Sequence, residues 1–381
     1  MSEYAIRLLK DLIAIDSVNP SLVSDAAGEE QIANAVEAEL HKIGLDVVKQ
    51  QAAPGRPNVI GVLEGKSPGQ SLMLCGHLDT VGVAGMEQPF EPVERHGLIY
   101  GRGSQDMKGG VASMISVAQS LMESGGLKSG RLIVAAVADE EYASIGASTM
   151  VKEWKADAAV VLEPSDLQIG IAHKGFSWVE VIARGKSAHG SRPKDGRDAI
   201  LRIGRFLTEL EALNRKLQSL PAHPLLGNPS LHASLIHGGK ELSTYPDICV
   251  LQFERRTISG ESKDQALNEA REILDNLRNR DPEFDAEARL LFTQPPYEIS
   301  PENSLPRLIA EQLGKISRYA EPTGMTFWTD AAILGQAGIP SVVFGPGGEG
   351  LHGLVEYVRA DEVLICRDVL VEVAKKFCAA N

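Results

Sequence analysis

No apolar run in this sequence is longer than seven residues, Leu132 to Ala138. A helix that spans a bilayer needs about 20 consecutive apolar residues, so a membrane partner is not expected. Basic residues are also in deficit: 38 Lys and Arg stand against 51 Asp and Glu, a net charge of −13. Non-specific binding to nucleic acid or to an anionic lipid surface needs basic patches, so no nucleic acid is expected either. Cysteines number only four (Cys75, Cys249, Cys366 and Cys378), and no CxxC spacing occurs. In a chain of 381 residues they read as reduced, buried thiols rather than as a disulfide framework. The first residues mix charged and apolar side chains (Glu3, Arg7, Lys10, Asp11) without a signal-peptide core, and the expected location is cytoplasmic. No internal repeat, biased segment or Gly-x-Ser-x-Gly elbow is present, which leaves no sign of a serine hydrolase.

What is present has ordinary globular composition, with 43% hydrophobic and 23% charged residues. Two amphipathic helices open the chain. Residues 3–15 carry Ile6, Leu9, Leu12 and Ile13 on one stripe, and residues 28–43 carry Ile32, Val36, Leu40 and Ile43. Short apolar strands follow at 58–63, 72–76, 132–138, 158–162 and 341–344, with helices expected at 108–123 and 146–154. Several of these strands are continuously apolar, as strands buried on both faces are. The expected fold is α/β, a mixed, largely parallel sheet with helices on both faces. The middle of the chain differs. Strands at 176–184, 231–237, 248–256 and 286–293 alternate with long helices at 195–217 and 261–278 in the order βαββαβ. That is the order of a ferredoxin-like α+β module. The expected division is a discontinuous catalytic domain, 1–174 and 294–381, carrying an inserted lid and dimerisation domain at 175–293.

Residues that bind cations gather at the expected strand ends. Strand 72–76 runs into His77-Leu78-Asp79, strand 132–138 into Asp139-Glu140-Glu141, and strand 158–162 into Glu163. Strand 341–344 leads through Gly345–Gly350 to His352, and the glycine-rich segment 101–110 holds Asp106 before helix 108–123. In open α/β sheets ligands bind at the carboxyl ends of strands. Acids crowded there raise one another's pKa, a penalty that cations remove. Mixed imidazole and carboxylate donors suit zinc, cobalt or manganese.

The stretches GHLDTV, YGRGSQDMKGG, ADEEYASIGA, VVLEPS, KSAHGSRPKDG, PDICVLQFERR, TDAAILGQAGIP and GPGGEGLHGLVEYV resemble the dinuclear metallo-amidohydrolases and peptidases. That family includes acetylornithine deacetylase, succinyl-diaminopimelate desuccinylase, aminoacylase and bacterial glutamate carboxypeptidase. The resemblance runs in order along nearly the whole chain. It implies two Zn2+ per subunit, with Co2+ or Mn2+ as substitutes. Asp106 would bridge them, His77 and Glu163 would complete one site, and Glu141 and His352 the other. It further implies Glu140 as general base, Asp79 as the acid that orients His77, and a cis peptide between Asp106 and Met107. Neighbouring glutamates at a strand end point in different directions, which allows one to ligate while the other stays free. The resemblance makes His189 an oxyanion donor in the partner subunit's site of a homodimer formed through 175–293; by its neighbours alone it is a turn histidine. Arg256 lies on a polar sheet face that suits solvent or a substrate carboxylate, and the resemblance implies the latter. Ser243 stands where the family often has Asn, and Gly347–Gly350 is about one residue shorter than usual. The implied activity is hydrolysis of a small-molecule N-acyl amino acid or related amide. A dipeptidase or carboxypeptidase with the same site, or a non-catalytic ligand-binding homologue, are the alternatives.

Overall fold

Continuously apolar strands set the centre of the fold. In the computed structural model, which describes residues 2–379, Arg56–Glu64 is buried throughout except at Glu64, and Ser71–His77 is buried beyond Ser71. From one edge the sheet runs Asp46–Ala53, Arg56–Glu64, Arg131–Val137, Ser71–His77, Ala158–Val161, Ser341–Val343 and Ile169–His173. The central strands, Arg131–Val137 through Ser341–Val343, are parallel. Those outside them pair antiparallel. Leu72 stands opposite Leu132 on one side and Ala158 on the other, a register that keeps apolar side chains in layers. The fold is the expected mixed, largely parallel α/β arrangement.

Helix Gly109–Glu123, buried along nearly its whole length, packs on Ser71–His77 and Arg131–Val137 and against helices Ser2–Ile13 and Ala360–Phe377. Its close approach depends on Gly110, where a Cβ would lie 2.1 Å from the Leu162 carbonyl oxygen. Helix Ile145–Glu153 packs against Asp46–Ala53 and Arg56–Glu64. A small antiparallel sheet joins Val93–Arg95, Leu98–Tyr100, Tyr357–Arg359 and Gly348–Glu349.

The chain divides into two compact units. Among the described residues one comprises 2–171, 299–323 and 329–379; the other comprises Ala172–Glu298 and Gly324–Trp328. The second unit is built from Gly175–Arg184, helix Ala199–Gln218, Ser230–Gly238, Ile248–Thr257, helix Gln265–Arg280 and Ala286–Gln294. Its antiparallel sheet has the order Ser230–Gly238, Ile248–Thr257, Gly175–Arg184, Ala286–Gln294, the ferredoxin-like arrangement. Val179, Val181, Leu251 and Phe253 from the strands meet Ile203, Phe206, Ala270 and Leu274 from the helices in its core. The first helix starts at Ala199 rather than at 195 because the Asp198 side chain accepts the Leu201 N–H at 2.9 Å, an N-terminal cap.

Candidate metal centre

Parallel strands bring their carboxyl ends to one edge of the sheet, and the ionisable residues sit there. Ser71–His77 lies between Arg131–Val137 and Ala158–Val161. The chain leaves it to one side and returns on the other, so a crevice opens at its end. His77 ends that strand. Asp139-Glu140-Glu141 and Glu163 follow its two neighbours. Asp106 comes from an irregular turn, Ser104–Lys108, in which Asp106 and Met107 depart from helical backbone angles and the Asp106–Met107 peptide is cis.

Two groups of metal-binding atoms form, each with its donors within 4.8 Å of one another: His77, Asp106 and Glu163, and Asp106, Glu141 and His352. Asp106 belongs to both. Its Oδ1 lies 3.1 Å from His77 Nε2 and its Oδ2 lies 3.3 Å from His352 Nε2. Glu163 Oε1 is 3.8 Å from His77 Nε2, and Glu141 Oε2 is 3.2 Å from His352 Nε2. Glu140 is in neither group; its nearest approach to a ligand histidine is 4.0 Å, to His77 Nε2. The His77 Nδ1–H donates to the Asp79 carbonyl oxygen at 2.9 Å. In that tautomer Nε2 keeps its lone pair, the form a cation binds.

The electrostatics are those of a site short of positive charge. Burial, then the neighbouring Glu163, pushes Glu140 well above the carboxylate range. Burial raises Glu163 likewise, and burial with Asp106 beside it brings Glu141 up to about 7. Hydrogen bonds to Asp106 and Glu141 raise His352 to about 10. At His77 burial favours the neutral ring, but Glu163, Asp106, Asp79 and Glu140 outweigh it and the pKa is raised. Asp106, despite burial, is held below the usual range by the two histidines. Among the described residues three buried carboxylate oxygens have no hydrogen-bond partner, Asp330 Oδ1 and, in the two donor groups, Glu141 Oε1 and Glu163 Oε1. Buried polar atoms are seldom left so. The Glu163 oxygen lies on one group and the Glu141 oxygen on the other, and mixed imidazole and carboxylate donors are a transition-metal set. The residues present fit a pair of divalent cations.

Asp79 differs in detail from the sequence expectation. Its backbone carbonyl, rather than its carboxylate, takes the His77 Nδ1–H; the carboxylate oxygen is 3.6 Å away. The carboxylate instead accepts the N–H groups of Glu140 and Glu141, both at 3.1 Å, and Asn19 Nδ2 at 2.8 Å. Asn19 also donates to Asp139 at 3.0 Å, and Asp139 pairs with Arg56, itself clamped by Glu29. All of these are buried. This network fixes the turn bearing Glu140 and Glu141, with Asp139 in the left-handed region at φ 69°. Sequence reading missed Asn19, Glu29 and Arg56, which lie in segments without strand-end motifs. Lys108, fully buried and donating to the Ile15 carbonyl at 2.8 Å, was passed over too; burial lowers it to about 7.

The remaining expected residues lie in the ferredoxin-like unit. His189 is exposed. Its Nδ1 accepts the Ser191 N–H at 3.2 Å and lies 2.8 Å from Ser191 Oγ. A ring nitrogen that accepts carries no proton in the neutral ring, so Nε2–H is the free donor. Ser243 lies across from this turn, its carbonyl accepting the Gly190 N–H at 2.7 Å. Arg256 is partly exposed, 5.3 Å above the Phe176 ring, with its Nε donating to Glu254 at 2.6 Å.

Residues 73–376 match Peptidase family M20/M25/M40. Acetylornithine deacetylase of Myxococcus xanthus is 30% identical over 98% of this chain and 97% of its own length. N-formyl-4-amino-5-aminomethyl-2-methylpyrimidine deformylase of Bacillus subtilis is 26% identical over 99% and 95%. Among solved structures, the YXEP protein of Bacillus subtilis, described as a dinuclear metal binding peptidase from the M20 family, superposes with a TM-score of 0.75 at 16% identity, covering 100% of this chain and 99% of that one. The chain belongs to peptidase family M20/M25/M40 and is a metal-dependent hydrolase of that family.

Proposed function

We propose that this hydrolase removes the acyl group from an N-acyl amino acid or a related small amide. The observation that carries the reading is the pair of donor groups sharing Asp106, with Glu140 4.0 Å from His77 and part of neither group. His77 and Glu163 would hold one cation, Glu141 and His352 the other, and Asp106 both. Zinc is the proposed metal, with cobalt or manganese as substitutes. A pair of such cations supplies Lewis acidity toward the amide carbonyl and toward water.

Glu140, a member of neither group and within 4.0 Å of His77 Nε2, takes the proton of the attacking water and delivers it to the leaving nitrogen. Asp79 holds Glu140 and Glu141 in register through their N–H groups. The His189 Nε2–H is the donor to the oxyanion, supplied across a homodimer formed through the ferredoxin-like unit. Arg256 takes the substrate's carboxylate in place of Glu254. A deacetylase and a deformylase among the relatives favour an acyl-amide over a peptide substrate. The four unpaired, buried cysteines suit a reducing, cytoplasmic setting. Among the described residues no helix is long and apolar enough to cross a membrane.

The test is to assay the zinc- and cobalt-loaded protein against N-acetyl, N-succinyl and N-aroyl amino acids and against dipeptides, reading amine release. Turnover of an N-acyl amino acid above that of every dipeptide is expected. Turnover confined to dipeptides would overturn the reading in favour of a peptidase.

A further inference from the structure

The turn that presents Asp106 satisfies only part of its own backbone, with Ser104 N–H donating to the Gly101 carbonyl and Lys108 N–H to that of Gly103. Asp106 (φ −117°, ψ 97°) and Met107 (φ −129°, ψ 36°) leave the helical region, and the N–H groups at a helix start have no acceptor within the helix. The N–H groups are instead collected by one residue. Between Gly101 and Asp106, four of the six backbone N–H groups go to Glu356. Gly101 donates to its carbonyl at 3.1 Å, and Gly103 to Oε2 at 3.0 Å. Gln105 and Asp106 donate to Oε1 at 2.9 and 3.1 Å. The Glu356 side chain is fully buried, and Arg102 Nη1 donates to its Oε2 at 2.6 Å.

Glu356 also lies four residues beyond His352. Arg102 reaches back along that segment, with Nη2 donating to the Gly353 carbonyl at 2.9 Å and to the Gly82 carbonyl at 3.2 Å. The strands that flank the two loops, Leu98–Tyr100 and Tyr357–Arg359, pair directly. Asp106 and His352 belong to the same donor group, and both reach it from irregular backbone; His352 has φ 58°. Asp106 lies in a single π-helical turn, Ser104–Lys108, and His352 in the turn between strands Gly348–Glu349 and Tyr357–Arg359. The Glu356 carboxylate and the Arg102 guanidinium hydrogen-bond to each other and to the backbone of both loops.

We propose that Glu356, with Arg102, is the positioning residue that holds Asp106 and His352 at the separation a shared cation requires. The inference rests on the two-cation reading. Glu356 touches no donor atom of either group; it acts through the backbone of Asp106 and through the loop of His352. A carboxylate is suited to the task because it accepts on both oxygens. An amide at this position accepts on one oxygen only and turns its NH2 toward either the Gly103 N–H and Arg102 or the Gln105 and Asp106 N–H groups. The resulting donor–donor contact moves the turn.

The experiment compares metal-free wild type with Glu356→Gln and with Glu261→Gln. Glu261 is a matched control in the ferredoxin-like unit, where it accepts the Ile258 N–H at 2.9 Å and pairs with Arg255. Zinc is titrated against a chromophoric chelator, and thermal unfolding of the metal-free proteins is recorded alongside. Glu356→Gln is expected to bind at least one zinc 10- to 100-fold more weakly, about the range for loss of a group that orients a metal ligand. Its kcat should fall with KM nearly unchanged. Glu261→Gln is expected to unfold at a lower temperature but to bind zinc as wild type does. Wild-type zinc affinity in folded Glu356→Gln would overturn the proposal, as would an equal loss of affinity in Glu261→Gln. If Glu356→Gln does not fold, Glu356→Asp carries the same titration and the same criterion. Wild type that binds no zinc would instead contradict the two-cation reading, so the two failures are distinct.

Discussion

Glu140 and Glu141 are adjacent in the chain and different in what they face. Glu141 lies 3.2 Å from His352 and in a donor group; Glu140 does not belong to one. Glu140→Gln should therefore keep both metals and lose about 10²–10⁴-fold in turnover, the usual contribution of a positioned proton shuttle. Glu141→Gln should lose or weaken one metal. Metal analysis beside kcat checks the pair, and the reverse pattern would exchange their roles. A second titratable residue works through stability. His173 is fully buried in the ferredoxin-like unit, among Tyr297 and Trp328, and burial lowers its pKa from 6.5 to about 4. The unfolded chain thus binds a proton between these values that the folded chain refuses. Stability tied to His173 is intact above pH 6.5 and is lost as pH falls toward 4, by about 3 kcal/mol at the limit. In urea unfolding at pH 7 and pH 4.5, His173→Phe should lose less stability on acidification than wild type. Parallel losses would place the acid sensitivity elsewhere.

Elements that are buried on both faces announce themselves, and those at edges do not. Residues 72–76, 132–138 and 158–162 are apolar throughout, and strands formed there within a residue or so of expectation. Asp46–Ala53 carries Asp46, Lys49, Gln50 and Gln51, buries only Gln50, and has no apolar run to mark it as a strand. The small sheet escaped notice because its strands are two or three residues long and come from opposite ends of the chain. The same difference explains the site. His77, Asp106, Glu141, Glu163 and His352 stand at strand ends or in glycine-rich turns, where a polar residue after an apolar run is conspicuous. Asn19, Arg56 and Glu356 make their contacts with residues distant in the chain, up to 254 positions away for Glu356 and Arg102; Glu356 and Arg102 fall inside the family-like stretches, but no residue next to them says what they pair with. One edge in the ferredoxin-like unit has a consequence of its own. Strand Ser230–Gly238 is mostly exposed, with Leu235 53% and Ile236 51% accessible. An uncovered apolar edge is a template for a second strand. If the proposed dimer pairs there, Ile236→Lys should convert it to monomer in sedimentation analysis; an unchanged dimer would assign the interface to another face.

At the scale of the molecule, one unit carries the donor groups and the other carries His189. Should His189 act in the partner subunit's site, co-expressing a His189→Ala chain with a Glu140→Ala chain should restore activity. The mixed dimer then has one site with Glu140 from one chain and His189 from the other. Purification through two different tags isolates it. Background activity in that purified species would mean that His189 serves its own chain. The most direct measurement for the whole account is metal content taken together with turnover in one preparation. Protein stripped by prolonged chelation should hold no metal and release no amine from an N-acyl amino acid. Zinc added back should restore turnover as the content reaches two ions per chain, and Glu141→Gln should stop short of two. Full activity in protein without bound metal, or full activity at one ion per chain, would contradict the two-cation centre.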